Sequence, residues 1–402
     1  MDFLNPEPPY VLFRDRPEWS DVSPVPQDDG TTPLAPILYN DKYKDATSYF
    51  RAIYVAKEYS PRVLDLTLEI IKQNASHYTV WQYRYRTLLS LNSPLTAELH
   101  LLSKLLPTHL KSYQAWNHRR LLLLQLGKKA ARGELAFAEI ALAKDAKNYH
   151  TWVYREWLLC NFFAPTPAIT ASSHPDPEQE SGSAEPVPVI EELDEDESAD
   201  EDVWREEVAF TDRMLEDDVR NNSVWHHRFF VLFEGPRAKP TGELVQSEIE
   251  YTKHAISLAP SNASAWSYLR GLLTPLHPTS PTSASRPRLS PLLPFARPYT
   301  LPTHMQSGLR ALTAAQDRPF LPRDGAELPC VEALEFVAEA VVELGPAGVD
   351  EAGQLYEGLK SRDPIRKQYW EYKKRSLQSA GSTPPVASVP PAASLAPVAG
   401  QA

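Results

Sequence analysis

Three features of the sequence predict an all-α fold, an α–α superhelix or solenoid of helical hairpins. A tryptophan returns at a fixed interval, each return carries two helical stretches, and no strand-like alternation of useful length competes. The returning segments are HYTVWQYRYR around Trp81, KSYQAWNHRR around Trp116, NYHTWVYREW around Trp152, NNSVWHHRFF around Trp225 and, more loosely, NASAWSYLRG around Trp266. The first two steps are 35 and 36 residues. The third is 73, and removing the acidic, Pro-rich stretch 164–201 leaves 35, so that stretch reads as an insertion within a repeat. The last is 41. One helix pair cannot bury its own apolar face, so such repeats stack on their neighbours.

Residues 1–44 are rich in Pro and poor in periodicity, and read as an extended arm lying on the rest of the protein. Helical periodicity begins at Asp45, and the repeat array is read over 45–378. In SPRVLDLTLEIIKQN, Ser60 is the expected N-cap and Pro61 the first helical residue, with Val63, Leu66 and Ile70 at helical spacing. SPLTAELHLLSKLL repeats the device with Ser93 and Pro94. Its partner helix is read from Lys111 to Leu126, with Gly127 as a left-handed C-cap. A second Pro-rich interruption spans 274–303. The helical stretches CVEALEFVAEAVVEL and DEAGQLYEGLKS follow, and a final unit, DPIRKQYWEYKKR, holds Trp370. The tail 379–402 is uncharged and rich in Pro and Ala, a composition that predicts disorder.

Within each second helix, Tyr and Trp lie three apart and are expected to share a face. Trp would fill the groove between helix pairs, and the Arg or Lys three residues on would reach a carboxylate of the next repeat. The Trp-x-x-Arg core is thus read as scaffold.

Composition narrows the function. Of the net charge of −11, thirteen acids lie between Ala164 and Asp202 with no Lys or Arg, so the rest of the chain carries about +2. That balance leaves no nucleic-acid footprint. The two cysteines, Cys160 and Cys330, form no C-x-x-C, which excludes a disulfide framework and a cysteine metal site and points to a reduced, cytoplasmic setting. No run of 18 apolar residues exists, so no membrane insertion is expected, and MDFLNPEPPYVLF lacks the features of a signal peptide. His118, His226 and His227 have no partners at metal-site spacing. No Gly-rich phosphate loop, nucleophile elbow or carboxylate pair is visible, so an enzyme built on this chain alone would be incomplete.

What the scaffold leaves over are the starts of the second helices, which line up along one edge when helix pairs stack. Tyr78, Tyr113 and Tyr149 stand there, with Lys111 and His150 beside them. Hydroxyl, ammonium and imidazole donors at neighbouring helix starts suit a phosphate-bearing ligand. The same residue types at helix starts also serve as packing aromatics and solvated charge.

The repeated NYxxWxxR pattern resembles the prenyltransferase α-subunit repeat. YVLFRDRPEWSDVSPVPQDDG, YNDKYKDATSYFRAI, DAKNYHTWVYREW, EDDVRNNSVWHHRFF and DPIRKQYWEYKKRSLQS are similar to the α subunit shared by protein farnesyltransferase and geranylgeranyltransferase type I. The similarity covers about residues 10–163, 202–273 and 328–378. It implies a crescent of tetratricopeptide-like helical hairpins around a β subunit. The heterodimer would transfer a farnesyl or geranylgeranyl group from its diphosphate to the Cys of a C-terminal CaaX sequence, as on small GTPases. Zinc, and magnesium in the farnesyl enzyme, would sit at the β-subunit active site, with no cofactor in this chain. By the same resemblance Lys111 is the catalytic lysine approaching the diphosphate, and Gln114 reaches the peptide's terminal carboxylate. Asn148, Tyr149 and His150 lie at the diphosphate side, and Tyr78 and Tyr113 line the substrate cleft. Ser112 departs from the family's usual Asn. Two other readings stand beside this one. A Rab-type geranylgeranyltransferase α subunit would lack the YVLFRDRPEW arm. A non-catalytic tetratricopeptide-like scaffold would carry small residues, not Trp, at each period.

Overall fold

The computed structural model describes residues 10–165 except 29, 31, 33 and 36, then 197–273, 288–302, 305 and 320–380. Among these residues every regular element is helical. The chain divides into two compact units, where the sequence suggested one array. The first comprises 1–213 and 226–239, and the second 214–225 and 240–402.

In the first unit the arm lies on the first helices. Phe13 and Trp19, on two 3-10 turns, are buried and meet edge to face at 5.3 Å, with Tyr49 against both. The Phe13 N–H donates to Asp45 at 2.6 Å, and Arg62 holds both carboxylate oxygens of Asp21 at 2.7 and 2.9 Å. Helix α1 (Asp41–Ala56) starts four residues before the expected Asp45. Asn40 accepts the Tyr43 N–H at 2.8 Å, a cap that hydrophobic periodicity does not register.

Six helices follow: α2 (Pro61–Gln73), α3 (Tyr78–Ser90), α4 (Leu95–Leu105), α5 (Tyr113–Leu126), α6 (Lys128–Lys144) and α7 (Tyr149–Phe162). They pack as hairpins, α2 on α3, α4 on α5 and α6 on α7. The expected helix starts need three corrections. Ser60 occupies the N-cap of α2, but its hydroxyl donates to the Glu58 carboxylate, a stronger acceptor within reach. Pro94, not Ser93, is the cap position of α4. Helix α5 begins at Tyr113, two residues after Lys111, because Ser112 takes the cap and accepts the Ala115 N–H at 3.3 Å. Gly127 has the expected positive φ, 75°, but an extended ψ of −171°, since one residue both ends α5 and starts α6.

Each repeat tryptophan is buried and hydrogen-bonded the same way. The indole N–H of Trp81 donates to Ala75 O, that of Trp116 to Leu110 O and that of Trp152 to Ala146 O, at 2.9, 2.9 and 3.0 Å. Every acceptor lies six residues earlier, so the ring fills the groove and also pins the turn before its helix. The arginine three residues on pairs with a carboxylate of the next helix, as expected. Arg84 holds Glu98 at 2.7 Å through two nitrogens, Arg119 holds Glu134, and Arg155 holds Glu207 at 2.6 and 2.7 Å.

Helix α8 (Glu197–Asp217) begins inside the stretch read as an insertion, of which residues 166–196 lie outside the described residues. Asp200 is buried and pairs with Lys128 at 2.6 Å and Arg237 at 3.3 Å, so charge neutralisation lets an acidic segment be helical. The Trp204 indole donates to Phe163 O at 2.9 Å, joining the segments on either side of the insertion. Helix α9 (Asn222–Phe229) runs into a π turn, Phe230–Glu234.

In the second unit, α10 (Gly242–Leu258) pairs with α11 (Ala263–Leu272). Trp225 donates to Val219 O and Trp266 to Pro260 O, both at 2.8 Å. Residues 288–300, expected as part of a Pro-rich interruption, form the short helix α12 (Leu293–Ala296) between two 3-10 turns, with Leu289, Leu292, Leu293 and Tyr299 buried. Pro291, Pro294 and Pro298 sit in first turns, where a missing N–H costs nothing, so this Pro-rich segment still folds. Helices α13 (Val331–Val342), α14 (Pro346–Arg362) and α15 (Lys367–Ala380) complete the unit. Trp370 is fully buried, and its indole donates to Asp363 at 3.0 Å. Helix α15 takes in Ser379 and Ala380, and the rest of the expected tail, 381–402, lies outside the described residues. No helix of the described residues is long and apolar enough to cross a membrane.

Candidate functional site

Tyr78, Tyr113 and Tyr149 are the first residues of α3, α5 and α7, and they are 74, 66 and 64 % exposed. The Trp three positions on is buried in each case, so Tyr and Trp do not share a face as expected. A side chain on the first helical residue leans toward the N-terminus, past the end of the helix, whereas one a turn later lies against the neighbouring helix. The repeat therefore has a packed level at Trp and an open level at Tyr.

The structure brings Lys111, Tyr113, Tyr149 and His150 together on the open level. The His150 ring stands edge-on to Tyr113, with centroids 4.2 Å apart at 89°, and meets Tyr149 at 5.6 Å. Burial lowers the His150 pKa and the nearby Lys111 ammonium lowers it further, which keeps the imidazole neutral at pH 7. Lys111 is exposed and Gln114 half-buried. Asn148 differs from the others. It is buried as the N-cap of α7, its amide oxygen taking the Thr151 N–H at 3.0 Å and hydroxyl at 3.1 Å, while its Nδ2 donates to Asp145 at 3.2 Å. These contacts hold the turn that presents Tyr149 and His150.

Chemically the cluster is a set of donors: an ammonium, two phenols, a neutral imidazole and the N–H groups of helix starts. It fits a polyanion with several oxygens. Among the described residues no three His, Cys, Asp or Glu are placed to hold a metal ion.

Sequence reading did not name the partners of Arg84, Arg119 and Arg155, which are Glu98, Glu134 and Glu207. Glu98, Glu134, Glu207 and Glu248 each precede a repeat Trp by 18 residues, a signal present in the sequence. Each also meets the side chain two positions after that Trp. His118 contacts Glu98 at 3.1 Å, Tyr154 Glu134 at 2.6 Å, His227 Glu207 at 2.5 Å and Tyr268 Glu248 at 2.7 Å. His118 and His227 are thus buried groups held against the clamp carboxylates.

The model of the protein prenyltransferase alpha subunit repeat matches residues 60–91, 95–126, 131–162, 204–234 and 245–276. A protein farnesyltransferase/geranylgeranyltransferase type-1 subunit alpha of Dictyostelium discoideum is 39% identical over 264 residues, 65% of this chain and 71% of that protein. Its counterpart in Pisum sativum is 32% identical over 371 residues, 92% of this chain and 96% of that protein. The structure of Candida albicans protein geranylgeranyltransferase-I complexed with GGPP is similar with a TM-score of 0.64 at 27% identity, covering 89% of this chain and 98% of that one. A geranylgeranyl transferase type-2 subunit alpha of Rattus norvegicus is 27% identical and matched over only 43% of its length.

Proposed function

This chain belongs to the family of protein farnesyltransferase/geranylgeranyltransferase type-1 alpha subunits, and from that premise we propose that it is the α subunit of a cytoplasmic heterodimeric CaaX prenyltransferase. The type-2 reading is disfavoured because the pea type-1 relative is matched over 96% of its length. The reaction joins the substrate's cysteine sulfur to C1 of the isoprenoid as the C1–O bond breaks and diphosphate leaves. Zinc, with magnesium in the farnesyl-transferring form, is assigned to the β subunit.

The observation that carries the proposed role of this chain is the open cluster at Lys111, Tyr113, Tyr149 and His150. As the C1–O bond stretches, negative charge grows on the diphosphate oxygens. A fixed ammonium beside them stabilises that charge more in the transition state than in the bound ground state. Neutral His150 and the tyrosines offer further hydrogen bonds without adding charge. Gln114 is assigned to the peptide's terminal carboxylate, Tyr78 to the lining of the substrate cleft, and Asn148 to holding the Tyr149 turn.

The test is co-expression with each type-1 and farnesyl β subunit and assay with both isoprenoid diphosphates. In single-turnover transfer from preformed complex, Lys111→Ala should slow the chemical step by about 10²–10³ while isoprenoid affinity stays within several-fold. Lys111→Arg should recover part of the loss, since its guanidinium is broader and delocalised. A wild-type rate in Lys111→Ala would overturn the assignment.

A further inference from the structure

One side chain ties the turn that carries Lys111 to the turn that precedes Tyr78. Ser112 Oγ donates to Ala75 O at 2.7 Å and accepts the Ala115 N–H at 3.3 Å. The same Ala75 carbonyl accepts the Trp81 indole N–H at 2.9 Å. Ala75 lies three residues before Tyr78, and Ser112 lies between Lys111 and Tyr113. Two successive helix starts therefore meet on one carbonyl oxygen. Ser112 is 8 % exposed, so water competes little for these bonds.

The second unit uses the same device with a different residue. Asn262 Nδ2 donates to Val219 O at 2.6 Å, and that carbonyl also accepts the Trp225 indole at 2.8 Å. There the amide divides the work, its Oδ1 accepting the Ser264 N–H at 3.2 Å. Ser112 does both jobs with one oxygen on a shorter side chain. Its backbone, and that of Lys111 beside it, is referred to Ala75 through a single atom.

We propose that Ser112 is a positioning residue for prenyl transfer, anchoring the Lys111–Tyr113 turn to the Ala75 carbonyl. The proposal rests on the reading of Lys111 given above. A lysine has four side-chain torsions, so the place its ammonium can reach in the transition state depends on where its backbone is fixed. Small displacements of a charge-stabilising group cost rate before they cost binding.

The test uses the heterodimer with wild-type β subunit. Ser112→Ala should slow single-turnover transfer about tenfold, with isoprenoid affinity unchanged within about twofold. Ala75 O keeps its indole partner in this variant, so the complex should still assemble. Ser112→Asn, which supplies an acceptor and a donor as Asn262 does, should restore the rate to within about twofold. In a Lys111→Ala background, Ser112→Ala should cause no further loss. If Ser112→Ala fails to assemble, Ser112→Cys, similar in volume but a weak donor, carries the same expectation. A slowed Lys111→Ala beside a wild-type rate in Ser112→Ala overturns the role of Ser112 alone. So does full additivity in the double variant, or a Ser112→Asn no better than Ala. A wild-type rate in Lys111→Ala overturns the reading of Lys111, and this proposal with it.

Discussion

Replacing Arg155 by Met should be among the most destabilising conservative changes in the first unit. The Arg155 guanidinium holds Glu207 through two nitrogens at 2.6 and 2.7 Å, donates to Leu135 O at 2.8 Å and stacks on Phe210 at 3.8 Å. Arg155 and Glu207 side chains are 4 and 2 % exposed. Burial alone would push the Glu207 carboxyl up. The Arg155 charge and the His227 contact outweigh it and hold the pKa at about 2, against an ordinary 4.5. Met keeps the stem and the apolar contacts but leaves a buried carboxylate with only His227. Removing one partner of a buried pair costs about 3–5 kcal/mol, which lowers the melting temperature by about 6–20 °C at roughly 2–4 °C per kcal/mol. The pH dependence separates this mechanism from a packing defect. In the wild type the folded pKa is depressed, so the stabilisation is full above 4.5 and is lost as pH falls toward 2. In Arg155→Met burial acts with less opposition and raises the folded pKa above the unfolded one. The variant's deficit should therefore narrow as pH falls from neutral toward 4.5, where the carboxyl takes up a proton. Thermal unfolding of the heterodimer at pH 7 and pH 4.5 measures both effects, and adding Glu207→Gln to Arg155→Met should recover part of the loss. A deficit below about 1 kcal/mol at pH 7, the level of an exposed pair, or one that does not change with pH, would refute the reasoning.

The two buried clamp histidines should titrate in opposite senses. For His227 burial works to lower the pKa, but Glu156 and Glu207 outweigh it and the net shift is upward. Its stabilisation is thus full below the unfolded value near 6.5 and is lost as pH rises through the folded value. At His118 burial outweighs Glu98 and the pKa falls, so below 6.5 the unfolded state takes up the proton first and stability drops. His227→Gln should therefore cost more at pH 6 than at pH 8, and His118→Gln the reverse, as read by urea unfolding at both pH values. Gly348→Ala should disrupt the α13–α14 hairpin, because the added Cβ would stand 1.8 Å from Val341 O, a backbone atom that cannot rotate away. A melting temperature within 1–2 °C of wild type, equivalent to about 0.5 kcal/mol, would count against that close approach.

The period of the repeat was legible because tryptophan is rare and each copy does the same two jobs, filling a groove and holding the carbonyl six residues back. Helix starts were less legible. Ser60 and Ser93 carry the right chemistry for caps, yet a neighbouring Glu58 captures the first hydroxyl and Pro94 displaces the second. Pro-rich composition misled at 288–300, where prolines begin short turns over a buried Leu and Tyr cluster.

The site was legible in its residue types and illegible in its division of labour. Tyr149 and Asn148 are adjacent in sequence, but one is 64 % and the other 3 % exposed, and no local pattern distinguishes a residue past the helix end from one tucked beneath it. Ser112 shows the difficulty most clearly. As a departure from the family's usual Asn it carried no expectation, because its partner, Ala75 O, is 37 residues away and is a backbone atom, invisible to residue type. What recovers it is the repeat itself. Asn262 makes the corresponding bond to Val219 O, so the second unit explains a contact in the first. In a repeat protein the physics of one copy predicts another, and the informative positions are those, like Lys111 and Ser112, where the copies stop being alike.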